Sequence, residues 1–557
     1  MPSDVEIARS VAMRPITEVA ARLGLVPDDL LLYGPYKAKV RLEVLQRPRP
    51  RPEPGRLVLV SAITPTPAGE GKTTTTIGLG QAFARLGQSV ALALREPSLG
   101  PCMGVKGGAT GGGYSQIMPA DDINLHFTGD FHAVTAANNL LAALLDNHVY
   151  QDMEPRLDPR RIEWRRVMDM NDRALRDCII GLGGPKQGVP REDGFDITAA
   201  SEVMAILALA EGADDLRARL DRILVGFTYD GTPVTARCLK GTGAMVALLK
   251  DALLPNLVQT LEGVPTFVHA GPFANIAHGC NSVLATRMAL HSADWAITEA
   301  GFGFDLGAEK FFDIKLRGAG LDTAAVVLVA TVRALKMHGG RHKGQLGAPD
   351  PEAVAKGLPN LTKHIENIQQ FCEPPVIALN RFAADTDEEI AVVRAHCERL
   401  GVPFAVTDHF ARGGEGAEDL ARAVMEHAEK KSKPFCPLYC PEDSVEDKIA
   451  KVAGKMYGAR SVVYDKTAQR DLTDIRRLGY GQLPVCIAKT QSSLSDDPRL
   501  RGRPRDFDVT VRGIRINAGA GFLVVLTGDI MRMPGLPKEP QAWQVDLLPD
   551  GRVDGLM

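Results

Sequence analysis

The chain is poor in aromatics, has no excess of either charge, no long apolar run and no cysteine framework. Aromatic residues make up 5% of the 557, too few for a base-stacking surface along single-stranded nucleic acid. The 65 basic and 68 acidic residues leave a formal net charge of −3, so no general attraction draws the protein to nucleic acid or to an anionic membrane. Apolar runs such as Ala324-Ala325-Val326-Val327-Leu328-Val329-Ala330 fall far short of the roughly 20 residues a bilayer requires. Met1 to Val11 carries Asp4 and Glu6 and lacks the apolar centre of a signal peptide. The expectation is a soluble, cytoplasmic protein with neither a nucleic-acid nor a membrane partner.

Nine cysteines and twelve histidines are scattered along the chain. The one close cysteine pair, Cys436-x-x-x-Cys440, has proline beside each member and no second Cys/His pair near it. Ordinary reduced thiols fit that pattern better than a zinc site. His269 and His278 share a loop rich in glycine and asparagine. That loop is expected to line a ligand cleft, with hydrogen-bonded structural histidines as the alternative.

What is present is alternation. Short β-rich runs exchange with amphipathic stretches almost throughout, which predicts an α/β protein with largely parallel sheets. Strands are expected at 57–63, 89–94, 178–182, 223–227, 266–269, 295–298, 376–379, 404–406, 462–464, 485–488 and 522–526. Helices are expected at 72–86, 202–211, 282–291, 387–400, 418–429 and 445–457. At this length two to four domains are the norm. Arg47-Pro48-Arg49-Pro50-Arg51-Pro52-Glu53-Pro54-Gly55 reads as a stiff, solvated connector.

The strongest local signal is Thr66-Pro67-Ala68-Gly69-Glu70-Gly71-Lys72-Thr73, between the apolar run Leu57-Val58-Leu59-Val60 and a helix-like stretch from Ile77. Strand, glycine loop, Gly-Lys-Thr and helix cradle a nucleotide triphosphate. Loop amides face the phosphates, the Lys72 ammonium reaches the outer ones, and the Thr73 hydroxyl can ligate Mg²⁺. Thr66 stands where such loops usually begin with glycine. A threonine-rich helix cap is the bland alternative.

The next expected strand ends in Leu94-Arg95-Glu96-Pro97-Ser98. Residues just past a parallel strand's carboxyl end border the ligand crevice, and a guanidinium there can grip a planar oxyanion such as formate or an acyl phosphate. A structural pair with Glu96 or Asp130 is the alternative. Glycines crowd Gly104 to Gly113, including Lys106-Gly107-Gly108, which permits close backbone approach to a ligand or movement on binding; a merely flexible loop fits too.

Further stretches carry a resemblance: Thr128-Gly129-Asp130-Phe131-His132-Ala133, Gly188-Val189-Pro190-Arg191-Glu192-Asp193-Gly194-Phe195-Asp196, Thr298-Glu299-Ala300-Gly301-Phe302-Gly303, Asn380-Arg381-Phe382, Gly413-Gly414-Glu415-Gly416 and Met533-Pro534-Gly535-Leu536-Pro537-Lys538. From Tyr33 almost to the C-terminus the chain resembles formate–tetrahydrofolate ligase. The resemblance implies a P-loop NTPase-like nucleotide domain with mixed, largely parallel sheets (1–115 and 310–360), a middle α/β domain (116–309) and a C-terminal α/β domain (361–557) bearing the folate slot. It implies ATP-dependent ligation of formate to tetrahydrofolate through formyl phosphate, with ATP and Mg²⁺ as co-substrate, a monovalent cation such as K⁺ as a further cofactor, and a homotetramer.

Residue by residue, it assigns Lys72, Arg95, Glu96 and Asp130 to catalysis: Arg95 on the intermediate, Glu96 as an orienting carboxylate, Asp130 to orient the amine or take its proton. Phe382 and Phe410 would sandwich the pterin, with a buried aromatic pair as the alternative. Phe410 replaces a frequent tryptophan, and Phe304 stands where a small residue is expected, so it is expected to affect the cleft's shape. An ATPase switch or partner-regulated binding protein is the competing function; it would turn over ATP without formate or folate.

Overall fold

The structure is a computed structural model that describes residues 2–51, 53–106, 109–528 and 530–556. Pro52, Gly107 and Gly108 fall outside the described residues, and with them part of the proline connector and of the glycine-rich stretch.

A twelve-stranded sheet runs through the molecule. Ten of its strands, in chain order, are β1 (Leu30–Leu32), β2 (Ala38–Val40), β3 (Arg56–Ala62), β4 (Val90–Leu94), β5 (Asn256–Thr260), β6 (Pro265–Val268), β7 (Trp295–Glu299), β8 (Ala325–Ala330), β9 (Pro375–Asn380) and β10 (Phe404–Thr407). Their spatial order is β1-β2-β5-β6-β4-β7-β3-β8-β9-β10. From β6 to β10 every pairing is parallel, while β1, β2 and β5 are joined antiparallel at one edge. The parallel strands read as continuous apolar runs because both faces are covered. All six residues of β8 are buried, each of its large side chains contributing about 1.5–3 kcal/mol.

That strand was expected only as a run too short for a membrane. β5 and the ten-residue strand Asp508–Asn517 also lacked a strand expectation, as did the helices Asp130–Tyr150 and Pro351–Gln370. Pro359 inside the latter reads as a breaker, yet Asp350 caps its start by accepting from Ala353 N and its apolar stripe holds it to the core. Among the described residues no helix is long and apolar enough to cross a membrane.

The sheet takes strands from each of the three expected segments, so tertiary pairing crosses the borders at 115, 309 and 360. A second, four-stranded sheet (Ser461–Tyr464, Val485–Ala488, Asp508–Asn517, Phe522–Thr527) forms near the C-terminus. Its Phe522 and Val524 share a core with Phe131, Leu141 and Ile206 of the middle segment.

The connector is exposed at Arg47, Pro48, Pro50, Glu53 and Pro54, and its arginines anchor it: Arg47 pairs with Asp29, Arg51 with Asp294, and Arg49 donates to the His291 and Ala293 carbonyls. Two readings are corrected here. Cys436 is not a reduced thiol, because it is disulfide-bonded to Cys372; Cys440 stays free. Phe304 is fully buried against Phe312 and Phe371, so it packs the core and does not narrow a cleft.

Candidate active site

The carboxyl ends of the parallel strands meet along one border, where ligands bind in such sheets. β3 runs into residues 66–73 and then into helix α1 (Lys72–Arg85). Gly69 and Gly71 sit at φ +78° and +73°, a region that favours glycine. At Gly71 a Cβ would also come within 2.5 Å of Asn380 Nδ2. That amide, at the end of β9, donates to the Glu70 carbonyl at 3.1 Å. Pro67 and Ala68 form an exposed crest, and Gly71, Lys72 and Thr73 are half-buried. The amino end of the 14-residue helix supplies a positive dipole end beside Lys72.

Glu70 acts as an internal staple. It accepts from Thr66 N at 2.6 Å and from the Thr331 hydroxyl just past β8. Burial pushes its carboxyl above the usual range, against the pull of those hydrogen bonds. Thr66 itself is buried.

Arg95, past β4, does not neighbour the loop strand, because β7 lies between β4 and β3. Two strand spacings separate them, about 10 Å. Glu299, the last residue of β7, fills that gap: its Oε2 accepts from Thr73 Oγ1 at 2.7 Å, and its Oε1 lies 3.6 Å from Arg95 Nη2. A Cβ on Gly301 would come within 2.7 Å of Ala274 Cβ and 2.9 Å of Arg95 Nη1, so the glycine leaves room for the guanidinium as it lies. Sequence reasoning passed over Glu299 within Thr298-Glu299-Ala300-Gly301; the available signal was an acidic residue ending an apolar strand.

Glu96 and Asp130 do come together. Burial and the Asp130 charge push the Glu96 carboxyl well above its ordinary range, with Lys39 opposing. Asp130 opens helix α2 (Asp130–Tyr150) and accepts from Lys39 Nζ at 2.7 and 2.9 Å and from Asn256 Nδ2 at 2.8 Å. Nearby, Asp169 holds the turn after Glu96 by accepting from Leu99 N at 2.9 Å; burial raises its carboxyl to about 6.

His269 is a structural histidine, with Nδ1 2.7 Å from Ser282 Oγ and Nε2 2.6 Å from the Ala252 carbonyl. His278 is fully buried; burial, then Lys315, Lys310 and Arg95, hold it neutral.

Phe382 and Phe410 follow the adjacent strands β9 and β10. The Arg333 guanidinium covers one face of Phe382 at 4.0 Å from the ring centroid. Phe410 is 40% exposed, lies against Gly112 and Gly113, and its carbonyl accepts from Tyr114 N at 2.8 Å.

The strand border thus carries a glycine-bearing loop at a helix start, a guanidinium–carboxylate pair and, past β9 and β10, the rings of Phe382 and Phe410. Residues 2–557 match the family model described as formate–tetrahydrofolate ligase.

Proposed function

The chain belongs to the formate–tetrahydrofolate ligase family, a family of ATP-dependent ligases, and from that premise we propose how its own residues divide the work. The observation that carries the reading is the line Thr73–Glu299–Arg95, which joins a nucleotide loop to an oxyanion-gripping side chain.

ATP lies with its phosphates on residues 66–73: loop amides and the start of α1 receive the oxygens, and Lys72 meets the outer phosphates. Thr73 and the Glu299 carboxylate beside it would hold Mg²⁺, which would screen the charge of the outer phosphates. Formate is a weak nucleophile, so its oxygen must be set in line with the γ-phosphorus, and Arg95 holds it there. The oxygen–phosphorus bond forms as the bond to ADP breaks, giving formyl phosphate. Nitrogen 10 of tetrahydrofolate then attacks the formyl carbon, the bond to phosphate breaks, and the proton from nitrogen 10 passes to the departing phosphate, giving 10-formyltetrahydrofolate. No serine or cysteine nucleophile is needed, because the acyl phosphate is already activated. Glu96 and Asp130 act as an orienting pair past Arg95. The pterin stacks on the face of Phe382 opposite Arg333, with Phe410 as its second wall.

The test is an assay with ATP, formate and tetrahydrofolate, each omitted in turn, read as 5,10-methenyl absorbance after acidification. Signal only with all three supports the reading; ATP turnover that ignores formate and folate overturns it.

A further inference from the structure

Glu299 is the residue through which the two halves of the site touch. Its side chain is 4% exposed, and a carboxylate buried so deeply requires donors or cations. It has one of each: the Thr73 hydroxyl on Oε2 and the Arg95 guanidinium facing Oε1. β7 places it there, since this strand pairs with both β3 and β4.

In nucleotide sites built on such loops, the metal is held by the loop Ser/Thr together with an acidic residue from a separate motif. Mg²⁺ takes one or two carboxylates and fills its remaining positions with phosphate oxygens and water. Among the described residues, no group of three or more His, Cys, Asp and Glu could hold a metal ion, so a single carboxylate beside Thr73 is the arrangement on offer.

We infer that Glu299 is a positioning residue for both substrates' ends of the reaction. Its Oε2 takes the Thr73 hydroxyl proton as a hydrogen bond, which turns the threonine lone pairs outward for the metal. Its Oε1 anchors Arg95, whose Nη1 passes over Gly301, so the guanidinium is held for formate before formate arrives. One carboxylate therefore couples metal binding to formate binding. The inference rests on the reading of residues 66–73 as the site of the metal–nucleotide.

The probe is Mn²⁺ with ATP, followed by electron paramagnetic resonance of free Mn²⁺, alongside ATP binding without metal and the KM for formate. For Glu299→Gln the expected result is a 10- to 100-fold loss of Mn²⁺ affinity in the ATP complex, the usual scale for removing a group that orients a metal ligand. Formate KM should rise with it, while metal-free ATP binding stays put. Glu299→Asp keeps the charge but shortens the reach, so both losses should appear in smaller degree; it serves if the Gln variant does not fold. Folded variants with wild-type Mn²⁺ affinity and formate KM would overturn the inference. Lys72→Ala separates the two failures: if it leaves ATP binding intact, the loop reading is wrong, whereas weakened ATP binding beside unaffected Glu299 variants defeats this inference alone.

Discussion

Lys39 Nζ lies 2.7 Å from Asp130 Oδ1 with both side chains buried, and this pair ties the short strand β2 to the first turn of the 21-residue helix α2. Its two members act oppositely on the Glu96 carboxyl, Asp130 raising it and Lys39 lowering it. Removing one partner of a buried pair leaves an uncompensated charge. Lys39→Met should therefore cost about 3–5 kcal/mol, read by chemical denaturation, and Asp130→Asn in the same chain should recover part of it. Additive losses in the double-mutant cycle would show that the pair does not couple.

Lys72→Ala should lower turnover at saturating ATP by roughly a hundredfold or more, since one group meeting transferring phosphate supplies several kcal/mol. Circular dichroism and the melting temperature should stay near those of the parent. Turnover near the parent's would remove the loop from the mechanism.

Arg95→Ser should keep ATP binding and lose formyl transfer. The guanidinium faces Glu299 on the side of the loop away from β8 and β9, where formate and not the adenine is expected. Arg95→Lys should rescue little, because a point charge lacks the planar fork. A variant with weakened ATP affinity and intact turnover at saturation would make Arg95 a nucleotide residue only.

Phe382→Ala should raise the KM for tetrahydrofolate several-fold while those for ATP and formate hold, a stacked face being worth about 0.5–1.5 kcal/mol beyond area burial. Phe410→Trp should lower it, since Phe304 packs elsewhere and does not crowd the slot. Equal damage to all three substrates would place Phe382 in the supporting core.

Acid should unfold the protein through buried histidines. His364 beside Thr64 Oγ1 and His338 beside the Thr64 carbonyl are both held neutral by burial, to about 4 from an ordinary 6.5. Unfolded, each takes a proton near 6.5, so stability is full above that pH and falls from 6.5 toward 4. Each contributes a loss of about 2 kcal/mol by pH 5. Denaturation at pH 7 and pH 5 should show it, and His364→Gln should flatten the slope; an unchanged slope would assign acid lability elsewhere.

The strand–loop–helix geometry of residues 57–85 was legible in the sequence because it is local. An apolar strand, glycines that can take positive φ at Gly69 and Gly71, Lys72 and a following helix all lie within thirty residues. The same holds for Arg95 at a strand's end, and for the helices whose caps and apolar stripes can be read along the chain, such as Asp387–Arg399 with its Thr386–Glu389 capping box.

Strand adjacency is not local, and the tertiary structure alone decided it. That β7 inserts between β3 and β4 depends on crossovers spanning hundreds of residues, and only that insertion sets Glu299 between Thr73 and Arg95. The same reason hid Asn380 on Gly71, Thr331 on Glu70, and Cys372 beside Cys436, 64 residues away. Residue type and spacing fix what a short segment can do. Which segments share an edge is set by the packing of whole strands and helices against one another, and no single stretch of the chain records it.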